Sequence, residues 1–175
     1  MKKHYYTWDD MHRAAHSIVL QMNRDNWKPD YIVGIVRGGL PLATLISHII
    51  DVDLWTINPD GGETNCWMAD DAFGYNDPEI TGITGARWDP KLRKNILVVD
   101  NINNTGSQFE WIKKDWKGGC LPNEHHAWEA VWRESVRFAV MTDNTASDFE
   151  THYHWHSIDK SDTWGVYPYE YELQV

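Results

Sequence analysis

Two segments of this chain share an arrangement that few folds accommodate: a short unbroken apolar run, a tight turn, then an amphipathic stretch. The first is Tyr31-Ile32-Val33-Gly34-Ile35-Val36, followed by Arg37-Gly38-Gly39 and by Pro41, Leu42, Leu45, Ile46 and Ile49 at helical spacing. The second is Asn95-Ile96-Leu97-Val98-Val99-Asp100, followed by a turn over 101–106 and a helix from 107 to about 116. A strand that is apolar at every position buries both faces, the condition of a parallel sheet covered by helices. Proline at the start of the first helix is preorganised for that position. With further strand-like segments at 136–141 and 152–157, the fold class is α/β, a mainly parallel central sheet flanked by helices.

The chain opens on Thr7-Trp8-Asp9-Asp10, which has capping-box form, with Met11, Ala14, Ala15, Ile18, Val19 and Met22 along one helical face. Its 175 residues suit one domain spanning 1–175, at roughly 150 residues per domain, and no repeat or linker divides it. A formal charge of −10 is a poor surface for a nucleic-acid backbone, which needs a basic footprint. It disfavours a DNA-binding regulator, and any polyanionic ligand has to be held locally by amides, one or two cations, or a metal. No apolar leader follows Met1-Lys2-Lys3, and no run approaches about 18 apolar residues, so a cytoplasmic protein without a membrane span is expected. Cys66 and Cys120 lack CxxC spacing and read as ordinary thiols.

Residues 38–86 hold no Lys or Arg but contain Asp51, Asp53, Asp60, Glu63, Asp70, Asp71, Asp77 and Glu79. The part from about 59 to 86 has no clear period and is read as a mobile acidic loop, either functional or simply a solvated flap. His152, His154 and His156 alternate, as a metal face on a strand would, although such a row is more often a solvated strand face. His125-His126 is assigned no role. Trp111, Trp128 and Trp132 read as packing or oligomer anchors.

In open parallel sheets, ligands bind beyond the carboxyl ends of the strands, so Arg37-Gly38-Gly39 and the segment from Asp100 to Ser107 should share an edge. Asn104-Thr105-Gly106-Ser107 offers hydroxyls and backbone N–H groups at a helix N-terminus, a cradle for phosphate. Asp100 ends its strand where it can bind a sugar hydroxyl or a hydrated Mg²⁺.

The run Ile96-Leu97-Val98-Val99-Asp100-Asn101-Ile102-Asn103-Asn104-Thr105-Gly106-Ser107 resembles the phosphoribosyl-pyrophosphate (PRPP) motif of type I phosphoribosyltransferases, especially the bacterial xanthine-guanine branch. Tyr6-Thr7-Trp8-Asp9, Val36-Arg37-Gly38-Gly39-Leu40, Asp162-Thr163-Trp164 and Pro168-Tyr169-Glu170 extend the resemblance in order. It implies that fold with a small C-terminal hood at about 150–175. It further implies transfer of a phosphoribosyl group from PRPP to a nucleobase, with Mg²⁺, in a homo-oligomer (dimer or tetramer). Arg37 and Gly38 would then take pyrophosphate, and Asp100 and Asn101 the ribose hydroxyls, with Asp100 toward the metal. Thr105, Gly106, Ser107 and Gln108 would cradle the 5′-phosphate, and Trp164 and Gly165 would meet the base.

Three positions depart from the family pattern. Asn101 replaces the second acid, and Asn104 replaces the acid that serves 6-oxopurine enzymes as general base; an amide cannot accept that proton. Asp143 stands where relatives carry a lysine for the 6-oxo group, and a carboxylate there favours an amino group. Trp164 has two readings, a stacking platform for the base or a tail residue closing the core. Two functions follow: an enzyme acting through Arg37, Asp100 and Asn104, or a non-catalytic PRPP or nucleotide sensor, which the two asparagines favour.

Overall fold

A computed structural model describes residues 2–62, 66–75, 88–119 and 125–170, apart from the side chains of Cys66 and His125. Five parallel strands form the central sheet in the order β3-β2-β4-β5-β6: β2 (Tyr31–Ile35), β3 (Asp53–Ile57), β4 (Ile96–Asn103), β5 (Val136–Asn144) and β6 (Tyr153–Ile158). Helix α1 (Trp8–Arg24) and helix α2 (Leu40–Ile50) cover one face. Helices α3 (Cys66–Phe73), α4 (Ser107–Gly119) and α5 (His125–Ala130) cover the other, with a π-helical turn at Val131–Ser135 after α5.

Both faces of the central strands are buried, as their unbroken apolar runs require. Ile32, Leu97, Val99, Ala139 and Met141 pack against α1 and α2, while Val33, Val98, Phe138 and Val140 face Phe109, Ile112, Trp116 and Trp128. Neighbouring residues of one strand thus serve opposite layers. The expected capping box holds α1: Thr7 Oγ1 accepts the Asp10 N–H at 3.1 Å, and Asp10 Oδ2 accepts the Thr7 N–H at 2.9 Å. Trp128 is buried and Trp111 and Trp132 pack against the same core, but Trp8, Trp55 and Trp67 are exposed, so the 11 tryptophans of the chain are not all core.

Three elements depart from the sequence reading. β4 does not stop at Asp100; it continues through Ile102 and Asn103, which pair with Thr142 and Asp143 in the same register as the start of the strand. α3 occupies part of the stretch read as an aperiodic loop, and β3, just before it, was not anticipated because it is an edge strand whose mostly exposed residues lack an apolar run. The hood does not begin at 150: β6 belongs to the main sheet, whereas β7 (Thr163–Val166) pairs in parallel with β1 (Lys2–Tyr5) in a separate two-stranded sheet. Of the acidic loop, Glu63, Asp77 and Glu79 lie outside the described residues, as does Cys120.

Candidate active site

The ends of β2 and β4 open into one cavity of about 670 Å³. The first wall is the turn after β2, where the Val36–Arg37 peptide is cis and Arg37 is exposed. Gly39 has to be glycine: a Cβ there would lie 2.4 Å from the Val99 carbonyl oxygen and 2.9 Å from the Asp100 Cα. The chain can therefore start α2 hard against the end of β4, which sets Gly38 beside the Asn101 side chain.

The second wall is the end of β4. Asp100 is 5% exposed, and its Oδ1 accepts the Asn101 N–H at 2.7 Å. Burial, with the Asp60 carboxylate adding to it, pushes the Asp100 carboxyl up to about 7, although the Asn101 N–H pulls the other way. Beyond it the chain turns through Asn104 and Thr105 to Gly106, at φ +78°, where a Cβ would lie 2.2 Å from Phe149 Cβ. Thr105 Oγ1 lies 3.1 Å from Ser107 Oγ and accepts the Ser107 N–H at 3.4 Å, so hydroxyls and amides gather at the start of α4.

The remaining walls come from elsewhere in the chain. Asn58 and Asp60 follow β3, and Gln108 Nε2 donates to Asp60 Oδ2 at 3.2 Å. Lys160 and Glu170 come from the C-terminal segment. The Lys160 ammonium lies 4.8 Å from the centre of the Trp164 ring, has no carboxylate within ion-pair distance among the described residues, and has its pKa lowered by burial.

The phosphoribosyl transferase domain family matches residues 2–174. This chain belongs to that family. As a phosphoribosyl transferase domain it resembles the purine phosphoribosyltransferase of Pyrococcus horikoshii in fold (TM-score 0.65, 22% identity, covering 100% of this chain and 99% of the other). The Helicobacter pylori xanthine-guanine-hypoxanthine phosphoribosyltransferase is also similar (TM-score 0.64, 18% identity, 98% and 96% covered). So is a Neisseria gonorrhoeae protein whose crystal structure holds bound ppGpp (TM-score 0.61, 21% identity, 99% and 91% covered). Among curated proteins the chain is 26% identical over 86 residues to the transcriptional regulator GfcR of Thermoplasma acidophilum, covering 49% of this chain and 35% of the relative. With GfcR of Methanococcus maripaludis it is 27% identical over 95 residues, 54% and 42% covered. The chain spans less than half the length of these regulators.

Within the phosphoribosyl transferase domain, Arg37, Gly38, Asp100, Asn101, Asn104, Thr105, Gly106, Ser107 and Gln108 all line the one cavity. Asp143, Trp164 and Gly165 do not. The Asp143 carboxylate accepts from Asn103 Nδ2 and Thr151 Oγ1, and Trp164 is 47% exposed beneath Lys160. Asn58, Asp60, Lys160 and Glu170 are among the lining residues that sequence reasoning did not place in the site; Lys160 lies four positions before Trp164 and was the readable one. The alternating histidines do not converge. His152 Nδ1 accepts the Phe138 N–H, His154 Nε2 lies 3.2 Å from Ser157 Oγ, and His156 Nδ1 lies 2.9 Å from the Tyr6 hydroxyl. Among the described residues no three His, Cys, Asp or Glu could hold a metal ion, and no helix is long and apolar enough to cross a membrane.

Proposed function

We propose that this domain transfers the 5-phosphoribosyl group of PRPP to a purine base, giving a nucleoside 5′-monophosphate and pyrophosphate. The observation that carries the reading is that nine residues from the turn after β2, the end of β4 and the start of α4 meet in one cavity. In the reaction a bond forms between a ring nitrogen of the base and C1 of the ribose, the bond from C1 to pyrophosphate breaks with its electron pair, and the N–H proton of the base passes to the departing pyrophosphate or to solvent, since the Asn104 amide cannot accept it. Positive charge grows on the sugar as the leaving group departs. Arg37 and the Gly38 backbone bind the diphosphate, Asp100 and Asn101 hold the ribose hydroxyls, and Thr105 to Gln108 cradle the 5′-phosphate. The C-terminal segment, which brings Lys160 and Glu170 to the cavity, shields the reacting carbon from water.

The donor set suits Mg²⁺ carried in by the diphosphate. Mg²⁺ keeps several waters and is held by one or two carboxylates plus substrate phosphates. Asp100, with Asp60 on the same cavity, supplies that number of acids, whereas a resident cage would need more protein ligands. When bound, the ion would neutralise developing charge on pyrophosphate; Asp100 is the residue that would face it.

Lys160 decides the base edge in this reading. A cation at the cavity beside Trp164 favours a base presenting a carbonyl oxygen, while Asp143, tied to Asn103 and Thr151, acts on the site only through that strand end. The reading carries a cytoplasmic location and a homo-oligomeric state, dimer or tetramer. The deciding experiment measures Mg²⁺-dependent pyrophosphate release from PRPP with a panel of purines and pyrimidines. Turnover with a purine is expected, and no turnover with any base sinks the enzyme.

The second reading is a sensor that binds PRPP or a purine nucleotide without turnover. Asn104 at the general-base position supports it, as do the partial matches to transcriptional regulators and the fold shared with a ppGpp-bound protein. Nucleotide binding by titration in the absence of turnover is its signature.

A further inference from the structure

Two hydroxyl groups that do not line the cavity hold both of its ligand loops. Tyr169 Oη donates to the Gly38 carbonyl at 2.8 Å, and Tyr167 Oη donates to the Asn101 carbonyl at 3.0 Å. The two rings are stacked, 5.8 Å apart at 10°, and Tyr167 stacks in turn on Tyr6 at 5.2 Å and 23°. Tyr6 is itself fixed, accepting from Thr142 Oγ1 at 3.1 Å. At the far end, Glu170 Oε2 accepts the Tyr167 N–H at 3.0 Å. The result is a ladder of three rings anchored on the sheet, with two phenol protons aimed at two loops.

The choice of carbonyls gives the ladder its meaning. Gly38 lies in the turn after β2, and Asn101 lies in the last part of β4, next to Asp100. Both carbonyls face the C-terminal segment rather than water, and a backbone carbonyl taken from water needs a donor. A phenol that fixes a carbonyl also fixes the plane of its peptide. Through that plane it sets the backbone beside Arg37 on one loop and beside Asp100 on the other. Burial raises the pKa of both tyrosines, so both remain protonated donors across the working range.

We propose that Tyr167 and Tyr169 are positioning residues forming one aromatic strap. Tyr169 holds the turn that binds diphosphate, and Tyr167 holds the end of β4 that binds ribose. The C-terminal segment thereby tunes affinity for both halves of the ligand without touching either. The identity of those ligands rests on the function proposed above; the strap itself does not.

The test uses Tyr169→Phe and Tyr167→Phe, which keep the stacked rings and remove one hydroxyl each. Isothermal titration with Mg²⁺-pyrophosphate and with GMP is run beside amide hydrogen exchange of the unliganded proteins. Losing one such hydrogen bond should weaken binding about five- to tenfold. Tyr169→Phe is expected to weaken pyrophosphate more than GMP and to speed exchange over 37–39; Tyr167→Phe is expected to weaken GMP more and to speed exchange over 101–103. Equal weakening of both ligands by both variants, or unchanged binding, overturns the inference. If the wild type binds neither ligand, the proposed function fails and exchange alone decides: local speeding in each variant supports the strap, and unchanged protection overturns it.

Discussion

Asn103 and Asp143 face each other across paired strands, and the amide Nδ2 of Asn103 donates to Asp143 Oδ1 at 2.9 Å. The same amide also donates to the Phe149 carbonyl at 2.7 Å, and its oxygen accepts the Ser147 hydroxyl at 2.9 Å. Asp143→Ala leaves Asn103 and Thr151 short of an acceptor, which should cost about 2 kcal/mol of stability while base preference stays put. Chemical denaturation and a base panel check this; altered preference at unchanged stability would put Asp143 at the base.

Asn104 lies on the cavity, and its backbone carbonyl is already held by Asn144 Nδ2 at 2.7 Å, so its side chain can be changed without moving the turn. Asn104→Asp is expected to raise 6-oxopurine turnover by about a hundredfold, the ordinary contribution of a placed general base. Steady-state pyrophosphate release reads it. Unchanged turnover would mean that proton removal does not limit the rate.

Asp100 makes a pH prediction whose sign is fixed. Its carboxyl sits at about 7 in the folded chain against an ordinary 3.8. Below pH 4 it is neutral folded and unfolded alike and contributes nothing. As pH rises toward 7 the unfolded chain ionises first, so the folded state loses ground, by up to about 4 kcal/mol above pH 7. Asp100→Asn should therefore stabilise the unliganded protein at pH 8 but not at pH 4. Urea unfolding at both values in metal-free buffer tests it, and a difference independent of pH would refute it.

Gly106→Ala adds a Cβ to a residue at φ +78° and against Phe149. Backbone strain and overpacking together should cost about 2–5 kcal/mol. Thermal unfolding should fall accordingly, and binding of a 5′-phosphate should weaken with it; a variant as stable as the parent would contradict the geometry.

Lys160→Met keeps an aliphatic cover on Trp164 and removes the charge. Preference for an oxopurine over adenine should drop about tenfold, the worth of one charge-assisted hydrogen bond. A kcat/KM ratio for the two bases measures it, and an unchanged ratio would remove Lys160 from base selection.

What was legible in the sequence is what is encoded locally. The runs ending at Val36 and Asp100 announced buried strands because they are short, rich in β-branched residues and closed by turn residues, and the glycines after them marked the turns. β1 was illegible because Lys2–Tyr5 is exposed throughout and becomes a strand only by pairing with residues near the other end, Lys2 with Thr163 and Tyr5 with Val166. β3 was missed for the same reason, since an edge strand draws its hydrogen bonds from a neighbour and needs no pattern of its own. Asp60 and Lys160 reach the cavity through long-range folding that no spacing reveals.

Gly38 and Asn101 meet so closely that a Cβ on Gly38 would lie 2.8 Å from Asn101 Oδ1. The two positions, one on each wall of the cavity, are therefore coupled. A side chain gained at 38 has to displace the Asn101 amide or meet a smaller residue at 101, so varying both together reaches combinations that a single-site scan scores poorly.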